Sequence, residues 1–359
     1  MKLRSIRVKN LKGIKDLEVN LVDPVKKKVR DRTIIVGKNG SGKTTLLETA
    51  YSTLCLMGVG EAGLKDVDVD FLYSSASTFI SADFHSNDDV TRTFNIVAAG
   101  NLRLPDKDTL STPDYFITIE TEVDYEEKTV EYVPRISLYN KEAEALSFAI
   151  RTAIAGIDDN PIIGNLIFFP TDRLAYFPTH SRLVNEKPEY EWAYQNNRHH
   201  DQWEGSLESF LTWLYFRDLK LREGNRNEPS LFDEFKQLVN RFLEGKQITS
   251  VGMNYRVEVV KEGTGEKISL DVLSSGEKQL ILLIGEMFRR IRKGSLILID
   301  EPEIHLHPVW QKLFVDTLTK MCKKYEAQFI MTTQSPFIAD AVLESEIVRL
   351  DDLIEESRA

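Results

Sequence analysis

The spacing of apolar positions changes along the chain, and each change marks a different kind of element. "LRSIRVKNLKGIKDLEVNL" alternates apolar and polar residues on both sides of Lys12-Gly13, which predicts two short strands around a turn. "RTIIVGKNGSGKTTLLETAYSTLCLM" reads as a β-branched strand, a glycine-rich turn and a helix from about Lys43 to Met57. From about Phe79 to Leu138, runs of period two broken by polar turns predict antiparallel hairpins. "KEAEALSFAIRTAIAGI" is helical in pattern, and "NLIFFP" is a buried strand. Residues 174–250 are rich in aromatic, His and Asn residues and hold two amphipathic helices. The first lies around Leu207 to Leu221, with Phe210, Leu211, Leu214 and Tyr215. The second carries Leu231, Phe235, Leu238, Val239 and Phe242, with Gly245 to end it. "NYRVEVVKEGTGEKISLDV" predicts a hairpin turning at Gly263 and Gly265.

The last hundred residues alternate helix and strand. Helices are expected from about Gly276 to Lys293, from Pro308 to Lys324 and near Pro336, with strands at "SLILI", "AQFIM" and "EIVRL". Strands that are apolar on every residue belong to a parallel sheet covered on both faces. The expected class is therefore α/β: a mainly parallel core sheet with helices on both faces, an antiparallel β subdomain and a helical insertion. The expected division is 1–173 and 251–359 for the two parts of the core, and 174–250 for the insertion.

Composition narrows this little. At 42% hydrophobic and 28% charged residues the chain resembles an ordinary soluble protein. No apolar run reaches the roughly 18 residues of a membrane span, and no apolar stretch follows the basic start as in a signal peptide. Cys55 and Cys322, each in a helical segment, read as buried thiols, so a cytoplasmic protein with no membrane partner is expected. A net charge of −10 does not draw nucleic acid to the molecule as a whole. Two basic runs stand out, Lys26-Lys27-Lys28-Val29-Arg30 and Arg289-Arg290-Ile291-Arg292-Lys293. They read as a solvated loop and a helix C-terminus, where cations suit the dipole, or else as a local nucleic-acid contact.

Candidate chemistry sits in three places. "GKNGSGKTT", comprising Gly37, Lys38, Asn39, Gly40, Ser41, Gly42, Lys43, Thr44 and Thr45, matches the phosphate-loop pattern between an apolar strand and a helix. Its backbone N–H groups would face a phosphate, Lys43 would reach the β- and γ-phosphates, and Thr44 would offer a hydroxyl to Mg²⁺. "LILID" delivers Asp300 at the end of a buried strand, as a second Mg²⁺ ligand, and the adjacent Glu301 is placed as general base. "VLSSGEKQL" opens a helix with Ser275 as expected N-cap, and its hydroxyls and bare N–H groups at Ser274, Ser275 and Gly276 also suit an anion.

Taken in order, these motifs resemble an ABC-type ATPase head of the group that includes the RecF, SMC and OLD-family proteins. Leu273-Ser274-Ser275-Gly276-Glu277 stands where that family has Leu-Ser-Gly-Gly-Gln, and "IDEPEIHLHP" stands at Walker B and the D-loop. The resemblance covers about the first 60 and last 90 residues well. It implies that two heads sandwich ATP, with each Walker site completed by the partner's signature residues. Glu303 to His307 occupy the D-loop, which makes His305 and His307 interface groups rather than zinc ligands. The other histidine pair, His199 and His200, shows no zinc spacing. Gln334 in "FIMTTQSPF" stands where the family has a switch histidine that touches the γ-phosphate, and is grouped with the nucleotide contacts. The Q-loop position, at the end of "NLIFFPTDR", offers Asp172 and Arg173, read either as a turn pair or as nucleotide contacts.

The resemblance further implies a stand-alone head like the ATPase subunits of bacterial anti-phage systems: a homodimer or higher oligomer serving a separate nuclease or effector. The sequence shows no long heptad arm between the motifs, and no nuclease domain is expected after the last strand. The alternative is the nucleotide-binding subunit of a transporter, though those domains keep the Gly-Gly-Gln signature and the switch histidine.

Overall fold

The computed structural model describes residues 1–58, 76–85, 91–100, 113–124, 129–154, 163–171, 206–224 and 229–356. Asp172, Arg173, His199 and His200 lie outside them.

Strands β1 (Lys2–Leu11) and β2 (Ile14–Asn20) form the opening hairpin, with both turn residues at positive φ, Lys12 at 45° and Gly13 at 86°. That is the backbone a two-residue hairpin turn needs. β3 (Arg32–Val36) leads into α1 (Lys43–Leu56). β4 (Ser77–His85) pairs antiparallel with β5 (Thr91–Gly100), and β6 (Tyr115–Asp124) with β7 (Thr129–Leu138). These are the expected hairpins. They join through a parallel β5–β6 pairing, which period-two patterning cannot distinguish from an antiparallel one. The resulting sheet runs β2-β1-β4-β5-β6-β7.

Helix α2 (Lys141–Ile154) precedes β8 (Leu166–Phe169), and α3 (Ser206–Glu223) and α4 (Leu231–Val239) follow. β9 (Lys246–Val251) adds a strand to the β10 (Val257–Lys261) and β11 (Lys267–Ile268) hairpin, making a three-stranded sheet. The remaining elements are α5 (Ser275–Arg290), β12 (Leu296–Asp300), α6 (Pro308–Lys324), β13 (Gln328–Thr333), α7 (Pro336–Ala339), β14 (Ile347–Arg349) and α8 (Leu350–Glu356).

The central sheet runs β14-β3-β13-β12-β8, and every pairing in it is parallel. Its strands are apolar throughout because each face has its own core. Leu296, Leu298, Ile330, Ile35, Leu166 and Phe168 pack on one side with α1 and the antiparallel sheet. Ile297, Ile299, Phe329, Met331, Ile34 and Phe169 pack on the other with α3, α4, α5 and α6. A strand's period of two thus sends alternate residues into different cores. Cys55 and Cys322 are buried thiols that form no disulfide, and burial pushes the Cys322 thiol up to about 12.

The two basic runs differ. Lys26, Lys27 and Lys28 lie exposed in a turn that Asp23 closes by accepting from the Val25 and Lys26 N–H groups. Arg289 and Arg290 are buried on the last turn of α5 beside the fully buried Glu286, with Arg290 Nη2 3.2 Å from its Oε2. These two cannot form an exposed nucleic-acid patch, which leaves half-buried Arg292 and exposed Lys293 as the accessible part of the second run. The helix also stops at Arg290, short of Lys293.

Candidate functional site

The site lies along the C-terminal edge of the parallel sheet, where strand ends leave backbone and side chains free for ligands. After β3, residues Gly37 to Gly42 form the loop into α1. Gly40 (φ 78°) and Gly42 (φ 88°) hold left-handed backbone, and a Cβ on Gly42 would stand 2.9 Å from Ile14 Cδ1. Gly42 is the N-cap of α1 and supplies no side-chain cap, and the first turn holds no acid. By contrast α4, α5, α6 and α7 are each capped by a side chain. An uncapped N-terminus with free donors favours an anion. Ser41 Oγ is buried there without a hydrogen-bond partner, Lys38 and Asn39 are exposed, and the Lys38 N–H donates to Asp351 of α8 at 3.2 Å. Thr45 continues α1, its carbonyl accepting from the Thr49 hydroxyl.

Lys43 is buried, and its Nζ donates to the carbonyls of Gly37 (2.8 Å) and Lys38 (3.0 Å) while lying 3.4 Å from Glu301 Oε1. The Thr44 hydroxyl donates to Asp300 Oδ2 at 2.7 Å. Asp300, fully buried at the end of β12, also accepts from the hydroxyls of Thr171 and Thr332. A hydroxyl and a carboxylate side by side are hard oxygen donors, the set that Mg²⁺ takes. Glu301 follows at φ 41°, a left-handed conformation uncommon for such a residue. Its Oε1 accepts from Gln334 Nε2 at 2.6 Å, and its N–H donates to the Thr332 carbonyl at 3.2 Å.

The P-loop, Asp300, Glu301 and Gln334 therefore converge. Ser274, Ser275 and Gly276 form a separate corner at the start of α5. Ser274, not Ser275, is the N-cap: its hydroxyl accepts from the Glu277 N–H while the Glu277 carboxylate accepts from the Ser274 N–H at 2.9 Å. The Glu at the third helical position selects the residue that completes this reciprocal box. Lys246 Nζ holds the other Glu277 oxygen at 2.7 Å. Burial alone would raise the Glu277 carboxyl, but Lys246 and Ser274 outweigh it and hold the group below its ordinary value. Ser274 and Ser275 are exposed. Gly276 is buried, and a Cβ there would lie 2.7 Å from the His305 carbonyl.

In the D-loop His305 is exposed at φ 69°, and His307 is the N-cap of α6, its Nδ1 accepting from the Val309 N–H. Thr171, Thr332 and Thr333 were not singled out from the sequence, and Glu303 stood out only as the start of the D-loop. The one signal of these threonines is position, since Thr171, Thr332 and Thr333 end or follow apolar strands at the ligand edge.

Residues 117–340 match the family described as "AAA domain, putative AbiEii toxin, Type IV TA system". The chain belongs to this family. Residues 1–52 match a second AAA description, "AAA ATPase domain". A relative from Vibrio cholerae, "Retron Vc95 probable ATPase", is 24% identical over 372 residues, covering 90% of this chain and 70% of that protein. The Septu protein PtuA of Bacillus thuringiensis is 32% identical over 105 residues, 26% of each chain. The OLD nuclease of Thermus scotoductus is 36% identical over 77 residues, 21% of this chain and 14% of that one. The SMC head domain from Thermotoga maritima aligns over 95% of this chain and 92% of its own, with 16% identity and a TM-score of 0.43. The AAA family member described here is a P-loop ATPase.

Proposed function

We propose that the chain hydrolyses ATP as a molecular switch, with the P-loop of one copy and the signature corner of a second copy closing on one nucleotide. The observation that carries the reading is the convergence of Lys43, Thr44, Asp300 and Glu301 on the uncapped start of α1. In this reading the N–H groups of residues 40–45 hold the phosphates, and Lys43 turns from the Gly37 and Lys38 carbonyls to the γ-phosphate. Thr44 and Asp300 would hold Mg²⁺, which when bound offsets phosphate charge. Glu301 orients water and takes its proton for in-line attack on the γ-phosphorus, and the proton it gains leaves with the products. Gln334 donates to the base and carries no charge of its own.

Ser274 and Ser275 are exposed and belong to a corner apart from the P-loop cluster. This supports their service to a second copy's nucleotide, with ATP as glue and hydrolysis as release. The likeness to a retron ATPase, a Septu protein and an OLD nuclease supports a role in defence or DNA maintenance, exercised on a separate nuclease or effector. Among the described residues no helix is long and apolar enough to cross a membrane.

The assignment of the phosphate loop is tested by Lys43→Ala. Titration calorimetry should show ATP binding lost, while the melt falls by only the worth of the loop bonds, about 1 kcal/mol each. Wild-type affinity in the folded variant removes the assignment.

A further inference from the structure

Glu303 lies two residues beyond the candidate base and plays no part in the reading above, yet its Oε1 takes two hydrogen bonds from the segment after β13. The Thr333 hydroxyl donates to it at 2.8 Å and the Gln334 N–H donates to it at 2.8 Å. The Thr333 hydroxyl in turn accepts from the Ser335 N–H at 2.9 Å. Gln311 of α6 makes a second bridge, donating to the Leu306 carbonyl at 2.9 Å and accepting from the Ser335 hydroxyl at 2.5 Å. The D-loop and residues 333–335 are thus laced together at two points. The outcome is local: with its backbone fixed by Glu303, exposed Gln334 reaches back to Glu301 Oε1 at 2.6 Å. Glu303 Oε2 is buried with no hydrogen-bond partner, a cost that a carboxylate kept only for solubility would not bear.

We infer that Glu303 is a positioning residue for hydrolysis. It fixes the backbone of Gln334 so that the Gln334 amide holds Glu301 Oε1 and sets the orientation of the carboxylate. The inference rests on Glu301 being the base. Without Glu303 the amide loses its fixed origin and the Glu301 carboxylate can rotate. Misplacement of a reacting group by about an ångström costs on the order of 10²-fold in rate.

The test measures ATP turnover and nucleotide affinity of the full chain with Mg²⁺ for Glu303→Ala, Glu303→Gln, Gln334→Ala, the Glu303→Ala/Gln334→Ala pair and Glu301→Gln. Glu303→Ala should lose about 10²-fold in kcat, with KM and affinity within about twofold of wild type, since the phosphate loop is untouched. Glu303→Gln, whose amide oxygen accepts both bonds, should recover most of the rate. The double variant should lose no more than the worse single, because both act through one contact. Wild-type kcat in Glu303→Ala overturns the inference, as does a Glu303→Gln as slow as the alanine variant or a double loss equal to the product of the singles. If Glu303→Ala does not fold, Gln334→Ala decides in its place: undiminished turnover there overturns the inference too. The two readings fail separately. An active Glu301→Gln removes the base, whereas an inactive Glu301→Gln beside an active Glu303→Ala removes only the positioning role.

Discussion

Arg290 shows how far a residue's neighbours change its meaning. In the sequence it belongs to a basic run open to two readings, while in the fold it is buried against Glu286 beside Arg289, whose guanidinium lies 5.7 Å from the Phe210 ring centre. Glu286 also lies 3.9 Å from Arg289, so losing Arg290 removes the nearer cation without leaving the acid alone. Arg290→Ala should therefore cost about 1 to 3 kcal/mol in denaturant unfolding, the worth of a lost charged contact, and should leave any affinity for DNA unchanged. A loss of DNA binding at wild-type stability would reverse this assignment. The same scale explains what could be read in advance. That Lys43, Thr44, Asp300 and Glu301 meet was legible because their motif spacing predicts one site for them. The roles of Thr171, Thr332 and Glu303 were not, since a lone Thr or Glu acquires a role only from the atoms folding brings beside it.

At the scale of elements, the start of α5 joins local signal to tertiary support. Ser274 and Glu277 form a reciprocal cap visible in the sequence, whereas the pairing of Glu277 with Lys246, from β9, is not. Glu277 is held below its ordinary value of 4.5, so its contribution to stability is fully present above that pH and is lost as pH falls through the lowered value. Glu277→Gln keeps the cap geometry but loses the ion pair. Wild type should exceed it by about 1 kcal/mol at pH 7, and the gap should close as pH falls below about 4.5. A gap that widens on acidification would contradict the assignment. Elements with long periodic patterns, such as α4 and α6, were legible. β9 was missed because only Ile248 and Val251 are buried in it, and α8 because its acidic run hides Leu350, Leu353 and Ile354, which pack on the core.

For the whole molecule, the parallel sheet separates two cores and presents its C-terminal edge as the reactive margin. The helices α3 and α4 share their core with α5 and α6, so these helices and the corner at the start of α5 are built on one body. The D-loop touches that corner where the His305 carbonyl lies against Gly276. On the proposed reading, binding and turnover use different groups on this margin, which makes them separable. In Glu301→Gln, Asp300, Lys43 and the loop N–H groups remain, so ATP should bind, while loss of the positioned base should slow hydrolysis by about 10² to 10⁴. The account's central claim is that two copies close on the bound nucleotide. Light scattering of Glu301→Gln with ATP and Mg²⁺ tests it most directly: the account predicts a persistent dimer, abolished when Ser274→Arg is added although each chain still binds ATP. A Glu301→Gln protein that binds ATP tightly and stays monomeric would contradict it.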